Sequence, residues 1–146
     1  MDLKKAAIVL AIVLVVLTSP VWMAATGLSF FIEDWALSKP DSGFAEWTAR
    51  AFIGIHRVSF RHDKRMILAE KYLDVFDEES PVYNEENYKN VFWAYAEACS
   101  DELLPGWAGK GYYYYAQKYP DDERTRDATS MANHFGYRKA LQDEGL

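Results

Sequence analysis

Twenty-seven consecutive positions, Ala6 to Ile32, carry no charge, and the first twelve of them, Ala6 to Leu17, are all apolar. As a helix rising about 1.5 Å per residue this stretch would run roughly 40 Å, longer than a ~30 Å hydrocarbon core. Lys4 and Lys5 precede it, whereas Glu33, Asp34, Asp41 and Glu46 follow. Because basic residues stay on the cytoplasmic side, the asymmetry predicts a cytoplasmic N-terminus and an exported remainder, on a bacterial inner membrane with a periplasmic C-terminal domain. Trp22, Phe30, Phe31 and Trp35 fall where an interfacial aromatic belt would lie, and Pro20 would kink the span or mark its approach to the interface. The competing reading is a cleaved signal peptide, with Lys4-Lys5 as its basic region and Met23-Ala24-Ala25 or Ala25-Thr26-Gly27 as the cleavage site. Apolar residues continue past both sites, which favours retention. The sole cysteine, Cys99, is far from position 20, so a lipid-modified N-terminal cysteine is excluded.

These features divide the chain into an N-terminal membrane anchor (1–32), a linker (33–43) and an extracytoplasmic domain (44–146). From residue 27 onward there are 14 Lys and Arg against 21 Asp and Glu, a net charge of −7. No basic stripe is available for a phosphate backbone, so nucleic acid is not an expected partner.

All-α is the expected fold class: one N-terminal transmembrane helix followed by a small domain of helical hairpins. Phe44, Trp47, Ala51, Ile55 and Val58 recur at helical spacing, either as a stripe packed on the domain or as a face lying on the membrane surface. Met66, Ala69, Leu73 and Phe76 mark a second helix that ends in the acidic turn Asp77-Glu78-Glu79. A third runs from Asn84 to Leu104, with Asn84 as its cap and Tyr88, Val91, Phe92, Tyr95, Ala98 and Cys99 on its apolar face. Pro105-Gly106 ends it, a fourth covers Trp107 to Tyr119, and Asp121 or Asp122 would cap the last, where Ala128, Met131, Ala132 and Phe135 face inward. The run Tyr112–Tyr115 is the one strand candidate, and it lacks alternation.

Trp107, Gly111, Tyr112 or Tyr115, Ala116 and Pro120 are the residue types of a tetratricopeptide-type unit, in which an opening Trp, a Gly, a Tyr and an Ala pack before a terminating Pro. The stretch from about Tyr88 to Pro120 resembles that family in its helix pairing, over about a quarter of the chain. The resemblance implies a protein-binding scaffold.

Catalytic patterns are lacking. His56, His62 and His134 form neither HExxH nor a Glu-x-x-His pair, and His56 and His62 are expected to be structural or surface residues. Gly106 to Gly111 lacks the spacing and the Ser/Thr of a phosphate loop, and no Gly-x-Ser-x-Gly elbow surrounds Ser59, Ser100 or Ser130. Cys99, on a helix among alanines, reads as a buried thiol. No pair of carboxylates is placed by apolar neighbours in a way that would shift a pKa. No cofactor, metal or enzymatic activity is expected.

The leading expectation is a single-pass accessory or scaffold subunit of a larger membrane complex, of respiratory or photosynthetic type. Its partners would be the other subunits, with the bilayer contacted through residues 6–32. Trp47, Trp93, Trp107, Tyr112, Tyr113, Tyr114 and Tyr115 are the candidate contact residues, since large amphipathic rings dominate binding hot spots. A freestanding periplasmic binding module is the alternative, and a small envelope enzyme acting through carboxylates comes third.

Overall fold

The computed structural model describes residues 18–24, 26 and 28–137. The apolar run Ala6–Leu17, Ala25 and Gly27 at the two candidate cleavage sites, and residues 138–146 lie outside the described residues. Those described are helical, with no strand among them. After helical residues 18–24 come α1 (Phe30–Leu37), α2 (Gly43–Val58), α3 (His62–Val75), α4 (Glu85–Asp101), α5 (Pro105–Lys118) and α6 (Thr125–His134). None of the described helices is long and apolar enough to cross a membrane.

The helix ends follow local chemistry. Ser42 accepts a hydrogen bond from the Ala45 amide and Asn84 from the Asn87 amide, each satisfying a donor that the first helical turn leaves open. Pro105 opens α5, where its missing N–H costs nothing. Tyr112 to Tyr115 lie in the middle of α5 rather than in a strand. Residues 33–37, read from sequence as the start of a linker, belong to α1, and the turn into α2 is confined to 38–42.

The helices stack as antiparallel hairpins, each packing chiefly on its sequence neighbours, in the order α1, α2, α3, α4, α5, α6. The described residues do not show tetratricopeptide-like repeats. What recurs is the hairpin turn. After α2, the Phe60 amide donates to the Arg57 carbonyl and the Arg61 amide to His56; after α4, the Leu103 amide donates to Ser100 and the Leu104 amide to Cys99. Both are Schellman turns, with Phe60 and Leu103 in the left-handed region at φ 56°. Leu103 follows Phe60 by 43 positions, and the ends of α3 and α5 keep the same offset: the Phe76 amide bonds to the Tyr72 carbonyl and the Tyr119 amide to Tyr115. Tyr72 and Tyr115, also 43 apart, are both fully buried. Few sequence identities announce this duplication: at the 43-residue offset Tyr72 matches Tyr115, while the turn residues Phe60 and Leu103 differ.

Two cores result. One joins α1 to α4 through Ala36, Ala45, Ala49, Phe52, Ile53, Leu68, Ala69, Tyr72, Phe76, Val91 and Ala94. The other joins α4, α5 and α6 through Tyr88, Ala96, Tyr112, Tyr115, Tyr119, Ala128 and Ala132. Gly111 lets α5 approach α4 closely, since a Cβ there would sit 3.1 Å from that of Ala96.

Candidate interaction surfaces

The fold sorts the aromatic residues into those that build the domain and those that face out of it. Trp22, Phe30, Phe31 and Trp35 are all exposed, as are Trp47, Trp107 and Tyr114. Trp93 and Tyr113 are half-buried. Trp93 sets its ring edge-on to Tyr112 (5.1 Å between centroids) and Tyr115 (5.5 Å), and its indole N–H donates to Glu97 at 3.2 Å. Tyr112 and Tyr115 are core residues rather than contact residues. Both face α4 and α6, Tyr112 stacks on Phe135 and Tyr115 donates to Asp122. Four tyrosines in a row on a helix point in four directions, so only part of such a run can reach one surface.

A groove opens between α3 and α5 over α4. Tyr88, Phe92 and Tyr95 of α4, Leu73 of α3 and Trp107 and Tyr114 of α5 line it, with Glu70 and Asp74 on one wall and Lys110 on the other. Its volume is about 260 Å³, and it continues past Tyr88, Phe92 and Tyr114 into a shallower recess bounded by Gln117 and Lys118. Lys110 sits 5.2 Å from the Trp107 ring centroid and 5.8 Å from that of Tyr114, and Lys118 sits 4.7 Å from that of Tyr88. Glu70, Asp74 and Lys110 make no ion pair among the described residues. Burial raises the hydroxyls of Tyr88 and Tyr95 above their ordinary value, and the Tyr88 hydroxyl donates to the Leu73 carbonyl at 3.4 Å. Ring faces with charges at their rims offer stacking surfaces and sites for charge-assisted hydrogen bonds.

Sequence reading missed the buried charges. Glu46 on α2 accepts from Arg50, from the Tyr72 hydroxyl and from the Asn87 side chain, which ties α2 to α3 and α4. Arg65 on α3 places Nη2 2.8 Å from Glu97 Oε2, and His62 Nδ1 lies 3.0 Å from Asp101 Oδ2. His56 is buried, with Nε2 2.8 Å from Glu33 Oε1, and this pair binds α1 to α2. Burial works to raise the Glu33 carboxyl, but the contacts from His56 and Ser29 hold it below its usual range. Asp122 is likewise opposed by burial, yet the Arg124 amide, the Tyr115 hydroxyl and the Arg124 guanidinium bring it down to about 2. Both carboxyls are lowered by their hydrogen-bond partners, not by a second carboxylate set among apolar neighbours. The Glu46–Arg50 and Asp122–Arg124 contacts are local in sequence, whereas the partners that tie α1 to α2, α3 to α4 and α2 to α4 lie 23 to 41 positions apart.

These networks tie helices, or a helix and the α5–α6 turn, together, and none of their residues lines the groove. Cys99 is fully buried, and burial pushes its thiol up, away from a nucleophilic thiolate. Among the described residues, no group of three or more His, Cys, Asp or Glu is arranged to hold a metal ion. No protein-family model matches this chain, and no curated protein or solved structure is significantly similar to it.

Proposed function

We propose that this chain is a membrane-anchored scaffold subunit of a larger membrane complex, which holds a partner segment in the groove between α3 and α5. The groove carries the proposal. Trp107 and Tyr114 stay exposed beside Glu70, Asp74 and Lys110, which make no ion pair among the described residues. Desolvating aromatic rings and pairing those charges would both favour an incoming segment. The uncharged stretch Ala6–Ile32 supplies the anchor, with the N-terminus cytoplasmic and the helical stack on the periplasmic side of a bacterial inner membrane. Tethering confines the groove to two dimensions and raises its effective concentration beside a membrane partner.

The test is purification of the full-length protein from its native membrane in mild detergent, alongside the Trp107→Ala and Tyr114→Ala variants. A stoichiometric set of membrane subunits should accompany the wild type. Each variant should retain its helicity and lose that set, by about tenfold or more in affinity for a ring acting as a hot spot. Co-purification unchanged by both substitutions would refute the groove. A mature chain starting after residue 25 or 27 would refute the anchor and favour a freestanding periplasmic binding module.

A further inference from the structure

α2 is apolar on both sides. Its inner face buries Ala45, Ala49, Phe52 and Ile53 against the domain. Its outer face presents Phe44, Trp47, Ala51, Gly54 and Val58, spaced alternately by three and four residues along the full helix, with Phe44, Trp47, Gly54 and Val58 exposed and Ala51 half-buried. No charge interrupts this stripe. α2 packs on α1 and α3, so the stripe lies on the outer edge of the stack, where a protein of stacked hairpins ordinarily carries a polar face.

The stripe does not end with the helix. Trp35 of α1 sets its ring 6.1 Å from that of Phe44, and Phe44 stacks on Trp47 at 5.9 Å with planes 19° apart. Phe31, one turn before Trp35, is also exposed on that side of α1. Charge is arranged in keeping. The one carboxylate of α2, Glu46, is buried beneath Arg50 and Tyr72, while Arg57 is well exposed and Arg50 partly so. The accessible ionic side chains of this helix are thus both arginines, Arg50 held by Glu46 at 2.6 Å and Arg57 lying 3.9 Å from Glu97. Asp34 turns to the other side of α1, into the cleft lined by Lys64 and Lys71 of α3.

We infer that the outer face of α2, joined by Trp35 and Phe31, docks on the lipid headgroup layer and lays the domain along the bilayer surface. An apolar stripe with tryptophan at the boundary and arginine at its margins has the composition of a helix lying in the membrane interface. The occupant is lipid rather than another protein because the aromatic patch is continuous with the uncharged segment that leads into α1. The inference rests on the anchor reading given above, and it moves Trp47 from the partner surface to the membrane surface.

The experiment uses the full-length chain reconstituted into phosphatidylcholine vesicles with brominated acyl chains, which quench only tryptophans at membrane depth. Variants retaining one tryptophan of the five report each position separately. Trp35 and Trp47 should lose about half their emission or more, as expected of rings seated at the acyl boundary, while Trp93 and Trp107 should be unaffected. Quenching of Trp22 with Trp35 and Trp47 unquenched would overturn the docking and leave the anchor standing. Failure of the chain to co-sediment with vesicles would overturn both. A Trp47 shielded from water yet unquenched would overturn lipid docking in favour of a protein partner. Should the tryptophan variants not fold, a spin label at Gly54→Cys is the independent readout, since a Cβ there meets nothing within 4 Å and Cys99 is buried. There, greater accessibility to oxygen than to a water-soluble nickel chelate supports docking, and the reverse order overturns it.

Discussion

Arg65 is buried on α3, yet only its Nη2 reaches a carboxylate at hydrogen-bonding distance, Glu97 Oε2 at 2.8 Å. Its Nη1 lies 4.0 Å from Asp101, and neither Nη1 nor Nε has a hydrogen-bond partner among the described residues. A buried cation so incompletely satisfied has a desolvation cost that rivals its ion-pair gain. Two substitutions should therefore behave in opposite ways. Glu97→Gln keeps the side-chain shape and the oxygen facing Trp93 but leaves the guanidinium without its main countercharge. Breaking a buried pair costs about 3–5 kcal/mol, and the lower end applies here because the Glu97 side chain is 28% exposed and Asp101 remains within reach. Arg65→Met removes the charge and its two unmet donors while keeping most of the volume, so its stability should lie within about 1 kcal/mol of the wild type. The double variant Arg65→Met, Glu97→Gln should recover most of the loss, giving a coupling of about 2 kcal/mol. Urea unfolding of the full-length chain in mild detergent, followed by near-ultraviolet circular dichroism, measures all four corners of this cycle. A cost for Arg65→Met as large as that for Glu97→Gln would refute the reasoning, because it would mean that the ion pair itself stabilises the fold.

Phe60 and Leu103 hold left-handed backbone at the two hairpin turns and are 82% and 84% exposed, so Phe60→Gly and Leu103→Gly should each relieve about 1 kcal/mol of strain with little packing lost, and thermal melting should shift upward. Gly111→Ala should destabilise by about 1–3 kcal/mol through overpacking against Ala96, whereas Gly106→Ala, with nothing near its added Cβ, should be neutral or slightly stabilising; denaturation midpoints compare the pair. Because the Asp122 carboxyl is held at about 2 in the fold against an ordinary 3.8, its contribution is complete above pH 4 and lost as pH falls towards 2. Acid titration of stability should show that loss, and Asp122→Asn should flatten this part of the curve; an unaltered acid limb would contradict the assignment.

The helices were legible where one face is apolar and the ends carry chemistry. Asn84 as a cap and the inward Ala128 and Ala132 recur in the structure, whereas Pro105-Gly106, read as a break, are the first two residues of α5 and the break lies at 102–104. α1 was not legible, because Glu33 and Asp34 mimic the polar start of a linker, and only the tertiary pairing of Glu33 with His56 accounts for a carboxylate there. Of the stripe Phe44, Trp47, Ala51, Ile55 and Val58, Ile55 packs against the core instead, and which way the rest faces depends on the second apolar face of α2, whose Ala45 and Ala49 are too small to stand out in a periodicity. The groove was illegible for a similar reason: Trp107 and Tyr114 resemble Tyr112 and Tyr115 in sequence, and only the approach of α5 to α4 at Gly111 decides which of them is covered.

Packing in which each helix leans chiefly on its sequence neighbours has a mechanical consequence. Tension applied between the N-terminal tether and a partner seated over α5 would be carried in series through α1, α2, α3 and α4. Such an arrangement yields stepwise, by peeling one interface at a time, rather than by rupture of a single core. The first interface in line is α1 against α2, clamped by the His56–Glu33 pair and a few apolar side chains, so it is the natural fuse. Under load this domain would extend at α1 while α4 to α6 stayed folded.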